Sequence, residues 1–172
     1  MHFLDLPVKR RIWSWILLIL LGLTTANSCD KDPIATDFGK DGYFVFGYFY
    51  GFCAGPECIR IYKIQGDDLY EDIEKAYPER GRLYNGSFEK VENHHIDSIS
   101  HLLSGFPEAL LNDTNDVFGC PDCVDQGGIY LEIKTGGIHR SWLLDNSNSA
   151  LPDYLQNYAV QVRRAIDLSR DQ

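Results

Sequence analysis

Residues 43–52, with the sequence YFVFGYFYGF, constrain the fold more than any other part of the chain. They are almost entirely aromatic or aliphatic, so this stretch has no polar side that could face water. A short, continuous apolar run of this kind is typical of a central β-strand whose two faces are both covered. We therefore predict a sheet with this strand in its interior. Burial of the aromatic side chains is favoured over an exposed aromatic platform for a ligand.

Shorter segments predict the other strands of the sheet. Asn85-Gly86 suits a type I′ turn and predicts a hairpin between the segments on its two sides. Gly136-Gly137 separates two segments that alternate cleanly between apolar and polar residues, and predicts a second hairpin. The predicted strands after the first are residues 59–64, 69–72, 82–84, 87–91, 129–134 and 138–144, with a tight turn at 53–58.

Two segments have the spacing of amphipathic helices. The first is capped by Asn93 and runs to Ser104, where Gly105 and Pro107 stop it, and the second begins at Pro152. Their apolar stripes consist of Ile96, Ile99, Leu102 and Leu103 in the first, and of Leu155, Tyr158, Ala159, Val162, Ala165 and Ile166 in the second. Strands in runs, followed by single helices, predict an α+β fold: an antiparallel β-sheet with two main helices packed on one face.

The N-terminus has the layout of a secretory signal peptide, which we assign to residues 1–28. Three basic residues at 9–11 precede an apolar run at 12–23, and small residues at 24–28 lead to Cys29. The apolar run is shorter than the ~20 residues that a membrane-spanning helix needs. The sequence therefore predicts export from the cytoplasm.

The segment TTANSC, residues 24–29, resembles the lipobox of bacterial lipoproteins, although Ala26 stands where that family usually has Leu. Acidic and lysine residues at 30–32, directly after Ser-Cys, are similar to those of Bacteroidetes-type lipoproteins, in which such a stretch can mark export to the cell surface. Asp30 also resembles the inner-membrane retention signal of enterobacterial lipoproteins, and we favour the first interpretation. The resemblance implies a diacylglycerated Cys29 and cleavage before it. It also implies a membrane partner reached through the lipid, and a location on the outer membrane that faces the periplasm or the cell surface. Residues 29–40 would then be the lipidated cysteine and its tether, and 41–172 a single α+β domain.

The domain itself resembles small uncharacterised envelope proteins of Bacteroidetes. The resemblance covers residues 42–168 and depends on the order of the elements and on the segment GGIYLEI at 127–133. It implies the fold and the envelope location, and it brings no known activity.

Charge excludes one class of partner. The whole chain has a formal net charge of −9, and residues 1–28 contain three basic residues and one acidic residue, so the remainder carries −11. A strongly acidic protein repels the phosphate backbone, and we expect no binding to nucleic acid.

Four cysteines fall in the domain, spaced C-x4-C at Cys53 and Cys58 and C-x2-C at Cys120 and Cys123. Outside the reducing cytoplasm they favour disulfides, and three pairings are open. The alternative is a zinc site with four thiolate ligands, which would require all four sulfurs near one point. A redox-active C-x2-C is a further alternative, but VDQGG after Cys123 is a poor start for the helix that such motifs use.

The sequence contains no Ser-His-Asp, P-loop or HExxH pattern that would predict catalysis. It therefore favours a structural or binding module over an enzyme, with no cofactor and with a protein or ligand partner that the residues do not identify. The competing hypothesis is a zinc-binding or thiol-redox lipoprotein that uses the four cysteines.

Overall fold

The computed structural model describes residues 41–92 and 94–170. Seven strands in this part of the chain form one sheet, and three α-helices accompany it. The strands are β1 (Tyr43–Phe49), β2 (Ile59–Gln65), β3 (Asp68–Asp72), β4 (Phe88–Val91), β5 (Val117–Phe118), β6 (Gly128–Thr135) and β7 (Ile138–Asp145). The helices are α1 (Ile96–Ser104), α2 (Glu108–Asn112) and α3 (Asp153–Ser169).

The sheet has the strand order β4-β3-β2-β1-β6-β7-β5, and every neighbouring pair is antiparallel except β5 with β7. The predicted mixed α+β fold with a mainly antiparallel sheet is thus confirmed. β1 lies between β2 and β6, and both of its faces are buried, as its apolar sequence predicts. The hairpin of β6 and β7 around Gly136-Gly137 is confirmed as well.

Alternate residues divide the sheet into two faces. On the first face, Phe44 lies opposite Ile64 of β2 and Ile133 of β6, and Leu131 lies opposite Trp142 of β7. These side chains belong to the main cluster of buried residues, which also includes buried residues of all three helices. Helix α3 contacts α1, β1 and β2.

The second face carries a smaller apolar cluster and is covered by irregular chain. Val45, Phe49, Ile61 and Tyr130 are buried there, each facing away from the main cluster. Residues 73–87, which connect β3 to β4 without regular secondary structure, lie against this face. A connection of this length without a helix or strand of its own is uncommon in a compact domain and is often functional. We call residues 73–87 the crossing segment.

The predicted hairpin at Asn85-Gly86 is wrong. A type I′ turn needs positive φ at both central residues, and neither residue has it. Residues 82–84 form no strand, and β4 pairs instead with β3 across the crossing segment. The structure also places α2 and the two-residue β5 in stretches for which the sequence predicted no regular element.

Several predictions fall on residues that the structure does not describe. Asn93, the predicted cap, lies outside the described residues, and α1 begins at Ile96. The signal peptide, Cys29 and the tether at 29–40 lie outside them too. Among the helices of the described ranges, none combines the length and the apolar character needed to cross a bilayer.

Candidate functional site

The structure joins the four cysteines of the domain as two local disulfides. Cys53 pairs with Cys58, with Cα atoms 5.6 Å apart, and Cys120 pairs with Cys123, with Cα atoms 5.5 Å apart. The crossed pairings that the sequence left open are therefore not the ones formed. Cysteines joined in this way carry no thiolate for zinc, so a four-cysteine zinc site would require all four to be reduced.

The two disulfide loops lie at the same end of the sheet. One loop, residues 50–58, connects β1 to β2, and the other, residues 119–127, leads into β6. Because β1 and β6 are antiparallel, with Phe49 opposite Gly128, the end of β1 lies beside the start of β6. The strand pairing thus brings together two loops that are 71 residues apart at their contact between Gly51 and Asp122.

Asp122 ties these loops to the crossing segment. Its Oδ2 atom accepts a hydrogen bond of 2.6 Å from the Gly51 N–H and one of 2.9 Å from the Tyr77 hydroxyl. Its Oδ1 atom accepts a hydrogen bond of 2.9 Å from the Gly127 N–H. Burial and the Asp122 carboxylate raise the pKa of Tyr77 to about 12, so this hydroxyl remains a donor at neutral pH. One carboxylate therefore holds three segments of the chain.

A second carboxylate, Asp145, fixes the base of the Cys120–Cys123 loop. It is 4% exposed, and its Oδ2 atom accepts a hydrogen bond of 2.8 Å from the Cys120 N–H. Gly119 stands directly before this contact with φ 73°, and a Cβ atom there would lie 2.5 Å from the Asp145 Cβ. Only glycine fits this position, because both the backbone conformation and the close approach exclude a side chain.

Each of the three segments that meet at Asp122 carries an exposed apolar side chain. Phe52 is 83% exposed and Val124 is 78% exposed, and the partly covered Tyr77 is 47% exposed. Each belongs to a different one of the three segments that meet at Asp122. We call the surface formed by residues 50–53, Tyr77 and 120–126 the three-loop face.

A separate buried carboxylate, Glu132, lies on the second face of the sheet. It is 1% exposed, and its Oε1 atom accepts hydrogen bonds from the Tyr43 hydroxyl at 3.0 Å and pairs with His139 Nε2 at 2.9 Å. Its Oε2 atom accepts hydrogen bonds from the Tyr84 N–H at 2.8 Å and from the Tyr130 hydroxyl at 2.5 Å. Four donors match the acceptor capacity of a carboxylate, which offsets the cost of burying its charge.

The partly exposed His139 connects this buried cluster to the protein surface. The ring borders a cavity of about 220 Å³ together with Lys134 and the Gly136-Gly137 turn. Tyr43 Oη lies 3.0 Å from His139 Nε2, but burial and Glu132 raise the pKa of Tyr43 to about 12.

Asp72 is a third buried carboxylate, after Asp145 and Glu132, and it holds the crossing segment. It is 0% exposed, and its Oδ2 atom accepts hydrogen bonds of 2.7 Å from both the Lys75 N–H and the Tyr84 hydroxyl. Its Oδ1 atom accepts one of 2.8 Å from the Ser87 N–H. Asp72 and Glu132 together attach the crossing segment to the sheet through Tyr84.

The four cysteines are the predicted site residues that fall in the described part of the chain, and the structure brings them together only in pairs. Within residues 41–92 and 94–170, no group of three or more His, Cys, Asp or Glu side chains is placed to hold a metal ion. The zinc site stays a prediction. Sequence reasoning missed Asp122, Glu132 and Asp72, because each has at least one hydrogen-bond partner that is distant along the chain.

Comparison with known proteins gave no further assignment. No protein-family model matches the chain, and no curated protein matches it.

Proposed function

We propose that this protein is a lipid-anchored binding module of the cell envelope, which contacts an extracytoplasmic protein partner through the three-loop face. The observation that carries the proposal is the convergence of three segments on Asp122, with Phe52 and Val124 exposed at their tips. Loops on a rigid sheet are common carriers of binding function. Large exposed apolar side chains grouped at one place mark interaction surfaces.

The loops are held in shape before any partner arrives. Each disulfide closes one loop, and the hydrogen bonds of Asp122 hold the loops against each other. A surface ordered in advance loses less conformational entropy on binding, which favours affinity. Each apolar side chain of this size contributes about 1.5–3 kcal/mol when it is fully buried.

Three features of the chain support anchoring of this binding module through a lipid on Cys29. A tether of eleven residues, 30–40, spans at most ~36 Å, so the domain would stay close to the bilayer. Two disulfides suit an oxidising compartment outside the cytoplasm. The net charge of −11 after removal of the signal peptide opposes adsorption to anionic headgroups, which leaves the lipid as the attachment.

We also propose that α1 and α3 both lie on the first face of the sheet, which would leave the second face to the crossing segment. The membership of Ile99, Leu102, Val162 and Ile166 in the same buried cluster as Phe46 supports this arrangement.

Site-specific photo-crosslinking in intact cells tests the three-loop face. A photoreactive amino acid replaces Phe52 or Val124 in the full chain, and Val160, which is 49% exposed on α3, provides the matched control. We expect one crosslinked species that is shared by positions 52 and 124, absent at 160, and competed away by excess unlabelled protein. Equal crosslinking at all three positions would show that the three-loop face is not a specific contact surface.

A further inference from the structure

The two disulfides of this protein differ in how an external thiol can reach them. We propose that Cys120–Cys123 is a site of thiol–disulfide exchange with cysteine thiols of other extracytoplasmic proteins, whereas Cys53–Cys58 is a structural staple. The inference rests on the proposed three-loop face, because that face would supply the contact with the protein substrate.

Exposure separates the two pairs. Cys120 and Cys123 are both exposed residues, which favours the approach of an external thiolate to this bond. Cys58 is only 6% exposed, so attack on its sulfur is obstructed. Attack on the exposed Cys53 would expel a thiolate from Cys58 into buried surroundings, and burial disfavours the charged form. Both routes into the Cys53–Cys58 bond are therefore hindered.

The Cys120–Cys123 turn is held by hydrogen bonds that do not involve sulfur. The Cys123 N–H donates to the Cys120 carbonyl at 3.2 Å, and Asp145 accepts from the Cys120 N–H. Asp122 is bonded to Gly127 in both directions, through its Oδ1 atom and through its own N–H, which donates to the Gly127 carbonyl at 3.0 Å. The Gln126 side-chain amide donates to the Cys120 carbonyl at 3.0 Å. The open dithiol would thus keep the same turn, which lets the bond break and reform without unfolding the domain.

Apolar side chains flank the exposed bond. Val124 follows Cys123 directly, and Phe52 follows Gly51, whose N–H is bonded to Asp122 between the two cysteines. A polypeptide that exposes both a cysteine and apolar residues could therefore place its thiol at the bond while its apolar side chains cover Phe52 and Val124. Such a substrate is a partly folded or loosely structured extracytoplasmic protein with two nearby thiols.

One round of exchange between a substrate dithiol and the Cys120–Cys123 disulfide balances in atoms and electrons without another reactant. One substrate thiolate attacks the sulfur of Cys123 and forms a mixed disulfide, while the sulfur of Cys120 leaves as a thiolate and takes up a proton. The second substrate thiolate then attacks the substrate sulfur of the mixed disulfide and releases Cys123. The substrate dithiol loses two electrons and becomes a disulfide, and the Cys120–Cys123 pair gains them and becomes a dithiol.

Reduction by dithiothreitol tests the exchange site in the full chain held in detergent. Samples are alkylated at successive times, peptide mass spectrometry assigns the open cysteines, and circular dichroism monitors the fold. We expect Cys120–Cys123 to open at least about ten-fold faster than Cys53–Cys58, with the fold retained. Opening of both bonds at one rate, or opening only together with unfolding, would overturn the exchange site and leave the binding proposal intact.

A synthetic peptide with two cysteines and several leucines tests the docking step. The ratio of the peptide rate to the dithiothreitol rate should fall about five-fold in Phe52→Ser and in Val124→Ser, because the apolar contact is lost. Val160→Ser, on the surface of α3, should leave the ratio unchanged. A ratio that is the same in all three variants would overturn the apolar contact with the three-loop face, while fast opening by dithiothreitol would still identify the exchange site.

Discussion

Glu132 is an almost fully buried carboxylate of β6 that has four polar contacts on the second face of the sheet. In IYLEIK the apolar residues alternate with others, so the pattern puts Glu132 on the polar face of β6. The structure keeps that alternation, with Leu131 and Ile133 on the first face and Glu132 on the second. The sequence pattern does not indicate that the crossing segment covers the second face, and this cover is what buries the carboxylate.

Replacement of Glu132 by glutamine should destabilise the protein. The amide oxygen can still accept hydrogen bonds, but the amide nitrogen would face donors such as the Tyr130 hydroxyl or His139. Leaving buried donors unsatisfied, and losing the charge-assisted bonds, costs about 2–4 kcal/mol in the free energy of unfolding. Urea denaturation measures this change. Glu89→Gln, at an exposed position of β4, is the matched control and should change the stability by less than about 0.5 kcal/mol. Equal stability of the two variants would argue against the role of Glu132.

Ionisation of Tyr43 should make the free energy of unfolding depend on pH in the alkaline range. Burial, with Glu132 beside it, raises the pKa of Tyr43 from 10.0 to about 12 in the folded protein. The hydroxyl of the unfolded chain ionises near pH 10, so its contribution to stability is complete below that pH. Between about pH 10 and pH 12 the unfolded state binds fewer protons than the folded state, and the free energy of unfolding falls as pH rises.

The Tyr43→Phe variant isolates this contribution. Urea unfolding at several pH values above 9 gives the slope of stability against pH, and this slope reports the difference in bound protons. We expect a shallower decline in the variant than in the parent protein, even though the variant is less stable at neutral pH. A slope equal to that of the parent would mean that the Tyr43 hydroxyl is not held protonated by its surroundings.

At the scale of elements, the sequence predicts those structures whose signal is local. β1, β2 and the hairpin of β6 and β7 follow from apolar runs, alternation and a glycine turn. β5 has two residues and exists through parallel pairing with β7, so it leaves no local pattern to detect. Asn85-Gly86 carries a turn signal, but contacts with the sheet decide the path there, because Tyr84 donates to Asp72 and lies against Tyr130.

In the candidate site, too, the sequence predicts the features that have a local signal and misses those that depend on long-range contacts. The spacing of the cysteines identifies two compact loops, but the pairing of each depends on the shape of its turn. The meeting of the two loops at Asp122 depends on β1 and β6 lying side by side, which is a long-range pairing. The signal that could have found Asp122 is its place inside a short loop closed by Cys120 and Cys123, where an aspartate readily accepts backbone hydrogen bonds.

The hydrogen bonds of Asp72 should determine how often the crossing segment detaches from the sheet. In Asp72→Asn the amide nitrogen cannot accept hydrogen bonds, so some of the bonds from Lys75, Tyr84 and Ser87 are lost. We expect the crossing segment to open more often and trypsin to cleave it at least about five-fold faster, after Lys75, Arg80 or Arg82.

Mass spectrometry of limited digests locates these cuts. Asp68→Asn provides the control, because Asp68 lies on the same strand but forms only a partly exposed ion pair with Lys90. Faster cleavage that is equal in both variants would point to general destabilisation rather than to release of the crossing segment.

The whole molecule combines an acidic exterior, two disulfides and a predicted lipid at Cys29. Each of these features is consistent with the location outside the cytoplasm that we propose. The disulfides need an oxidising environment. A single acyl chain holds a protein only marginally on a membrane, whereas the two or three chains of a lipoprotein anchor it stably. If the proposed anchor is correct, retention at the membrane would depend on the sulfur of a single residue, Cys29.

Cys29→Ala should abolish this attachment. In cells that process lipoproteins and are fed an alkyne-bearing fatty acid, the parent protein should become labelled and sediment with membranes. The variant should carry no label and should lose most of its membrane-bound fraction, because no thiol remains to accept the lipid. Cys53→Ala combined with Cys58→Ala removes two other cysteines and should keep both the label and the membrane fraction. Labelling that persists in Cys29→Ala would place the lipid elsewhere, and loss of labelling in the double variant would show that the domain must fold before the anchor forms.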